Sequence, residues 1–283
     1  VDALYSNTSG AANIAIGYGA LYSNTTANDN SALGNNALRA NTSGHSNSAF
    51  GYRALYSNTT GAGSVGIGYQ ALYTTTTEGS LTAIGYQAAK ANTSGTGTVA
   101  VGYQALTANT TGENNTAVGY QAIYTDTTGE QNTAIGYQAM YDASDADYNT
   151  AVGFRSLYNL TDGYGNTALG NSSMYTNSTG NENTAIGRSA LYSNTSGDYN
   201  TAIGDNVMRN NTTGTENTAI GRHALWTNTT GSYNLASGYM ALFSNTTGGN
   251  NTAIGYKAAY SNTTGAGSVG IGYQALYTAT TEG

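Results

Sequence analysis

Apolar residues in this chain come in short, evenly spaced clusters set in a background of Asn, Thr, Ser and Gly. Each cluster ends on a glycine, and the series Gly17, Gly34, Gly51, Gly68 runs on to Gly272 in steps of 17 residues, without insertion or deletion. Outward from that glycine the consensus is N-T-A-I-G-Y-Q-A-L-Y-S-N-T-T-G plus two variable residues. The residue before the glycine is Ile, Val, Leu or Phe in fifteen of sixteen repeats, Ser237 being the exception. The residue four after it is Leu, Ile, Met or Ala in all seventeen copies, from Leu4 to Leu276. These two are the expected core positions, flanked by small residues such as Ala15, Gly66, Ala20 and Ala139.

The T-A-I-G stretch is short, β-branched and bounded by Asn and Gly, which predicts a strand. A helical solenoid needs about 33 to 47 residues per repeat, roughly twice what is present. One or two bulky side chains per repeat cannot fill a globular core, but stacked coils can bury them as a thin column. The expected fold is therefore all-β, a parallel β-solenoid (β-roll) with 17-residue coils, about seventeen of them stacked into a rod, and residues 1–283 form a single continuous repeat array. At a strand spacing of about 4.8 Å the rod would be roughly 80 Å long. The N-T-T-G corners, as at residues 58–61 and 194–197, pair an Asn that bonds its own backbone with a Gly that tolerates positive φ.

In such a stack each residue lies over its equivalent in the next coil, so identical side chains form ladders. Like charges would repel along a ladder, which fits a charged fraction of only 8%, against about a quarter in an ordinary domain. Asn stands four before the glycine in twelve of sixteen repeats, including Asn115, Asn132, Asn149 and Asn166, and reads as an internal amide ladder closing a turn. Two aromatic columns are expected, one just after the glycine (Tyr69, Tyr86, Tyr103) and one five after it (Tyr124, Tyr141, Tyr158). They would stack or be buried against a neighbouring chain, with a platform for sugars or surfaces as the alternative. Arg39, Lys90 and Arg209 interrupt the second column with side chains long enough to lie over rings.

In N-I-A-I-G-Y (residues 13–18) and N-T-A-V-G-Y (residues 115–120) the chain resembles the head repeats of YadA-like trimeric autotransporter adhesins, and the similar N-T-A-I-G-Y-Q-A-L strings of some phage tail fibres and related surface proteins. The resemblance covers the whole chain and implies a parallel β-roll, commonly trimeric, used as an exposed fibre or adhesive head. The YadA-type repeat is shorter than 17 residues, and no coiled-coil stalk or membrane anchor is visible here.

Candidate chemistry is sparse. His45 and His223 occupy different repeat positions without a recurring carboxylate, so neither metal nor catalytic site is expected, and both are read as solvated. The Ser and Thr residues have no associated base, the G-x-G strings lack the context of a phosphate loop, and Asp is too sporadic for a calcium ladder. No enzyme activity and no cofactor are expected. The net charge of -7 carries no basic stripe for nucleic acid, and no apolar run is long enough to insert in a membrane. The chain has no Cys. N-x-S/T recurs at one corner in twelve repeats, at Asn7, Asn24, Asn41, Asn58, Asn92, Asn109, Asn177, Asn194, Asn211, Asn228, Asn245 and Asn262. These are candidate N-glycosylation sites if exposed, and N-T-T-G is equally good turn chemistry.

Regularity reaches both ends without a capping repeat, which reads as a segment of something longer. Residues 56–79 and 260–283 differ only at Thr75 against Ala279, the mark of duplication within an array. The expected function is a structural extracellular fibre or filament segment at a cell or virion surface, adhesive or glycosylated in some versions. Its partners would be further copies of itself, as a trimer or an end-to-end filament, or glycans and cell surfaces. A phage or virus receptor-binding rod is the alternative. An ice-binding solenoid is a further one, since Thr116, Thr133, Thr150, Thr167, Thr184 and Thr201 recur at fixed spacing, although Ile14, Val65, Val99, Leu235 and Val269 interrupt that column.

Overall fold

The structure is a computed structural model and describes residues 1–278. It is an all-β parallel solenoid with 17-residue coils and no helix among the described residues. The chain divides into two compact units, each made of the same coil. Unit 1 comprises Val1–Gln138 with Asp142–Ala146, and unit 2 comprises Ala139–Tyr141 with Asp147–Gly283. Among the described residues sixteen strands are present, where about seventeen coils were expected, because Val1 follows the position at which a first strand would end.

Unit 1 holds β1 (Ile14–Ile16), β2 (Ser31–Leu33), β3 (Ser48–Phe50), β4 (Val65–Ile67), β5 (Thr82–Ile84), β6 (Val99–Val101), β7 (Thr116–Val118) and β8 (Thr133–Ile135), each pairing in parallel with the next. Unit 2 repeats the arrangement with β9 (Thr150–Val152), β10 (Thr167–Leu169), β11 (Thr184–Ile186), β12 (Thr201–Ile203), β13 (Thr218–Ile220), β14 (Leu235–Ser237), β15 (Thr252–Ile254) and β16 (Val269–Ile271). The register never slips: Thr184 lies over Thr201, Ala185 over Ala202 and Ile186 over Ile203.

Each strand is only three residues long, yet most of the coil is bonded to its neighbours. Thr184 N donates to Asn200 O at 2.8 Å and Gly204 N to Ile186 O at 2.8 Å, as in any parallel ladder. The ladder then continues through the bends, with Gln104 N donating to Tyr86 O at 2.8 Å, Leu106 N to Ala122 O at 2.9 Å and Asn114 N to Thr96 O at 2.8 Å. Burying a bend is costly only when its backbone groups lose their partners, and here the neighbouring coils supply them.

The core corrects the sequence reading. Side chains alternate across a strand, so of Thr-Ala-Ile only the Ala points inward, as Ala83, Ala117, Ala185 and Ala202 do with no exposure. The residue before the glycine points out: Ile84, Ile135, Ile186, Ile220 and Ile254 are 37–42% exposed. The other expected core position holds: the interior is filled by the residue four after the glycine (Leu21, Leu55, Leu106, Met140, Leu191), together with the Ala preceding it. The slot is narrow: at Gly66, which takes the strand Ala position, a Cβ would sit 3.1 Å from Leu55 Cγ.

The glycine that ends each strand is demanded twice over. Gly102 has φ +139, outside the range of L side chains, and a Cβ there would lie 2.2 Å from Gly119 O of the next coil. The corner glycines differ from expectation: Gly61 and Gly112 do not adopt positive φ, and what excludes a side chain is a clash at 2.1 Å with Glu78 O and at 2.2 Å with Gly129 O. Positive φ falls on other residues, among them Gln104 (φ 52) and Leu106 (φ 51). A left-handed non-glycine residue costs about 1–3 kcal/mol, and the coil accepts it because Gln104 completes a turn closed by Ala105 N donating to Gly102 O at 3.5 Å.

Two substitutions test this account. Gly102→Ala is expected to lower stability by roughly 3 kcal/mol or more, read as a lower urea midpoint, because backbone rather than a flexible side chain occupies the space. Ser80 (φ 60) occupies the left-handed corner position that Gly63 (φ 70) and Gly97 (φ 63) fill in adjacent coils. Ser80→Gly is expected to raise stability by about 0.5–1 kcal/mol, since the strain it relieves exceeds the added unfolded-state entropy.

Candidate interaction surface

Two amide ladders hold the corners. Asn200, four before its glycine, donates from Nδ2 to Gly214 O at 2.9 Å and to Asn183 Oδ1 at 3.1 Å. Its own Oδ1 accepts Asn217 N and Nδ2, each at 3.1 Å. The ladder expected four before the glycine is thus present and buried. A second ladder runs through the N-x-S/T corner, where Asn211 Nδ2 donates to Gly214 O and to Asn194 Oδ1, each at 2.9 Å. In a coil that keeps both Asn residues one corner carbonyl, here Gly214 O, therefore receives both amides.

That second ladder consists of the candidate glycosylation sites. Asn24, Asn41, Asn58, Asn92, Asn109, Asn177, Asn194, Asn211, Asn228, Asn245 and Asn262 are all buried, and only Asn7, in the first coil, is exposed. The exposure that an acceptor requires is absent because the side chain turns inward to close its own corner. The sequence signal was turn chemistry. The exposed groups at this corner are hydroxyl-bearing residues such as Thr60, Thr111 and Ser196.

The outer face of the sheet carries two parallel rows, the Thr position and the Ile position of each strand, both at least partly open to solvent. On β9 to β13 the first row is Thr150, Thr167, Thr184, Thr201 and Thr218 without interruption.

Next to this strip, the residues one, two and five after the glycine form an aromatic and amide edge. Tyr69, Tyr86, Tyr103 and Tyr120 stack at 5.1–5.2 Å between centroids with interplanar angles of 7–8°. Tyr158, Tyr175 and Tyr192 do the same at 5.0–5.1 Å. Each ring face is covered by the next ring, so the columns present edges and hydroxyls rather than the open faces a sugar would stack on. Between the columns Gln70, Gln87, Gln104 and Gln121 bond side chain to side chain at 3.1–3.2 Å. Where a cation replaces a ladder member it lies over rings, as expected for Arg39 over Tyr22 (5.2 Å) and Arg209 over Tyr192 (4.9 Å). Arg53 spans both columns, 5.0 Å from Tyr52 and 5.4 Å from Tyr56.

The regular edge gives way in unit 2. Arg188 holds Asp205 in two bonds of 2.8 and 3.1 Å, and Arg222 approaches the other side of the same carboxylate at 3.5 Å. The Arg188 hydrogen bond keeps the Asp205 carboxyl below its ordinary range. His223 corrects the expectation of a solvated ring: it is half-buried and stacks on Trp226 at 4.8 Å. Burial, helped by the charge of Arg222, holds its imidazole below the ordinary value. His45 is exposed, near Ser46. Among the described residues no group of three or more His, Cys, Asp or Glu could hold a metal ion, and no helix is long and apolar enough to cross a membrane. Comparison with protein-family models, curated proteins and solved structures returns no match.

A glycosylated Asn cannot enter the ladder, so intact-mass and peptide analysis of folded protein should find Asn24, Asn58 and Asn211 unmodified; occupancy at any of them would contradict the buried geometry. For His223 the unfolded chain takes up its proton at higher pH than the folded chain does. The stability gained from a neutral ring is therefore complete above the unfolded pKa and declines as pH falls through it. His223→Gln, which places there the residue that coils such as those of Gln104 and Gln121 carry, should remove that part of the pH dependence, measured as the urea midpoint between about pH 7.5 and pH 5.

Proposed function

We propose that this chain is a structural fibre segment whose outer Thr–Ile strip packs against further copies of the chain, forming a surface-exposed filament without catalytic activity. The observation that carries this reading is the Ile row, a line of large apolar side chains held outside the coil. Contiguous apolar surface on a soluble protein marks a site of association. A flat row that repeats in register can bury itself against an identical row with no gaps. The resemblance to adhesin-head and tail-fibre repeats supports an extracellular or virion-surface setting, in which stiffness and length serve to hold something at a distance.

The Thr row supports a second reading. Five consecutive threonines beside a row of Val, Leu and Ile form a regular surface of hydroxyl and methyl groups, suited to ordering water at an ice face.

The strip side chains point away from the core, so Ile186→Asn, Ile203→Asn and Ile220→Asn together should leave the circular dichroism spectrum unchanged. In sedimentation velocity the wild-type chain is expected to run as an oligomer or fibre and the triple variant as single chains. A wild-type chain that stays monomeric at all concentrations while showing thermal hysteresis on freezing would replace the fibre reading with the ice-binding one.

A further inference from the structure

The charges of this chain are sorted around the coil. Every Lys and Arg, eight in all, stands one, two or five residues after a strand glycine, on the tyrosine edge. Apart from Asp2 and Asp205, the acids of the described residues stand between the sixth and twelfth positions, on the corner arc. In unit 2 the edge carries Arg155, Arg188, Arg209, Arg222 and Lys257, and the arc carries Asp162, Glu182, Asp198 and Glu216. The strand, and with it the Thr–Ile strip, lies between the twelfth position of one coil and the first position of the next. The strip therefore has an acidic margin on one side and a cationic margin on the other.

Ring contacts explain why cations settle on the edge, as with Arg155 at 5.2 Å from Phe154 and 5.3 Å from Tyr158. They do not explain why acids gather on the far arc, or why bulky aromatics join them there. Tyr148, Tyr164, Tyr199 and Tyr233 are 46–56% exposed at this corner, where most other coils have small residues such as Ser46, Gly63, Ser80 and Gly97. Tyr164 donates its hydroxyl to Glu182 at 3.0 Å, and Tyr199 and Glu216 line a shallow hollow. Exposed phenol rings beside carboxylates make a receiver for guanidinium and ammonium groups, through cation–π contact and charge-assisted hydrogen bonds. The chain carries those groups on its other margin.

We propose that the cationic tyrosine edge of one copy docks on the acidic tyrosine corner of a second copy, a contact made on both sides of the strips when two of them pack face to face with their coils running in the same direction. The inference rests on self-association of the chain as read above, and it adds the recognition that selects which margins meet. Such a pair is isologous, each copy giving one edge and one corner, and a second copy with its coils running the other way would set like charges opposite each other. Charge complementarity of this kind acts mainly on partner choice and association rate, and it is screened by salt.

Mixing complementary variants tests the contact. An edge variant (Arg155→Gln, Arg209→Gln, Arg222→Gln) keeps its acidic corner, and a corner variant (Glu182→Gln, Asp198→Asn, Glu216→Gln) keeps its cationic edge. Circular dichroism verifies that both fold. At about 0.05 M salt each variant alone should associate roughly ten-fold more weakly than wild type, and an equimolar mixture should recover edge-to-corner pairs; about 0.5 M salt should weaken wild-type assembly similarly. Variants that assemble like wild type, or a mixture no better than its components, would overturn the proposal. The strip variant separates the two readings. Association that is lost with the Ile row but indifferent to charge and salt leaves the fibre reading standing and sinks this one. Association lost with charge but not with the Ile row does the reverse. A wild-type chain that never associates removes both.

Discussion

Everything in this chain follows from the requirement that each residue lie over its own equivalent 17 positions away. The amide of Asn is the group that enforces it. With one acceptor and two donor hydrogens, an Asn such as Asn200 reaches its counterparts in both adjacent coils and closes the next corner through Gly214 O. A shift of one residue would break these bonds in every coil and turn the inward Ala of each strand outward. Insertions are excluded for the same reason. The glycine ending each strand is fixed by the same closeness: coils near enough to share backbone hydrogen bonds leave no room for the Cβ of Gly102 above Gly119.

Because the backbone and most of the amides find partners in adjacent coils, the core can be thin. Two alanines and one Leu-sized side chain per coil bury little apolar area, and hydrophobic burial at about 25 cal/mol per Å² would not hold so small a unit alone. Stability has to accumulate from coil-to-coil contact, as in other solenoids. The arrangement leaves the outside unusually free. Large apolar and aromatic groups absent from the core appear on the surface, where the Ile row, the stacked tyrosines and the exposed tyrosines of the corner give each face its own chemistry.

Period, strand, parallel register and amide ladder were legible in the sequence because each is a property of spacing. The orientation of the residue before the glycine was not. Hydrophobicity placed Ile186 inside, whereas the alternation of a three-residue strand admits only its middle residue, and the requirement for Ala there was the signal that could have shown it. The buried sequons were missed for a related reason. N-T-T-G reads equally as an exposed acceptor and as a corner whose Asn turns inward, and only the position of Gly214 O between two amides separates them. The sorting of charge was also present in the sequence, but it emerges only when residues are grouped by coil position rather than by distance along the chain.

The places where the ladders lapse show where polar matching is kept and where it fails. At residues 75 and 81 one coil gives up both amides. Thr75 substitutes for the corner Asn and donates its hydroxyl to Asn92 O at 3.1 Å, while Leu81 fills the other amide position at 1% exposure. The residues above and below Leu81 in its column are Ser64 and Thr98, short hydroxyl side chains, and Ser64 Oγ accepts Leu81 N at 3.4 Å. Removing one member of a buried amide pair strands its partner at about 1–3 kcal/mol, whereas changing the neighbours together is nearly neutral. In unit 2 the two ladders separate: Leu160 replaces a corner Asn, and Asn166 of the other ladder still reaches Gly180 O at 2.8 Å and Asn149 Oδ1 at 3.1 Å. Matching is thus kept in the Leu81 column and not in the corner column, where Asn58 Oδ1, one coil before Thr75, is buried without a hydrogen-bond partner, while positions outside the coil, such as the eleventh and twelfth, change one at a time. Freedom at those outer positions is what allows a uniform scaffold to carry a patterned surface.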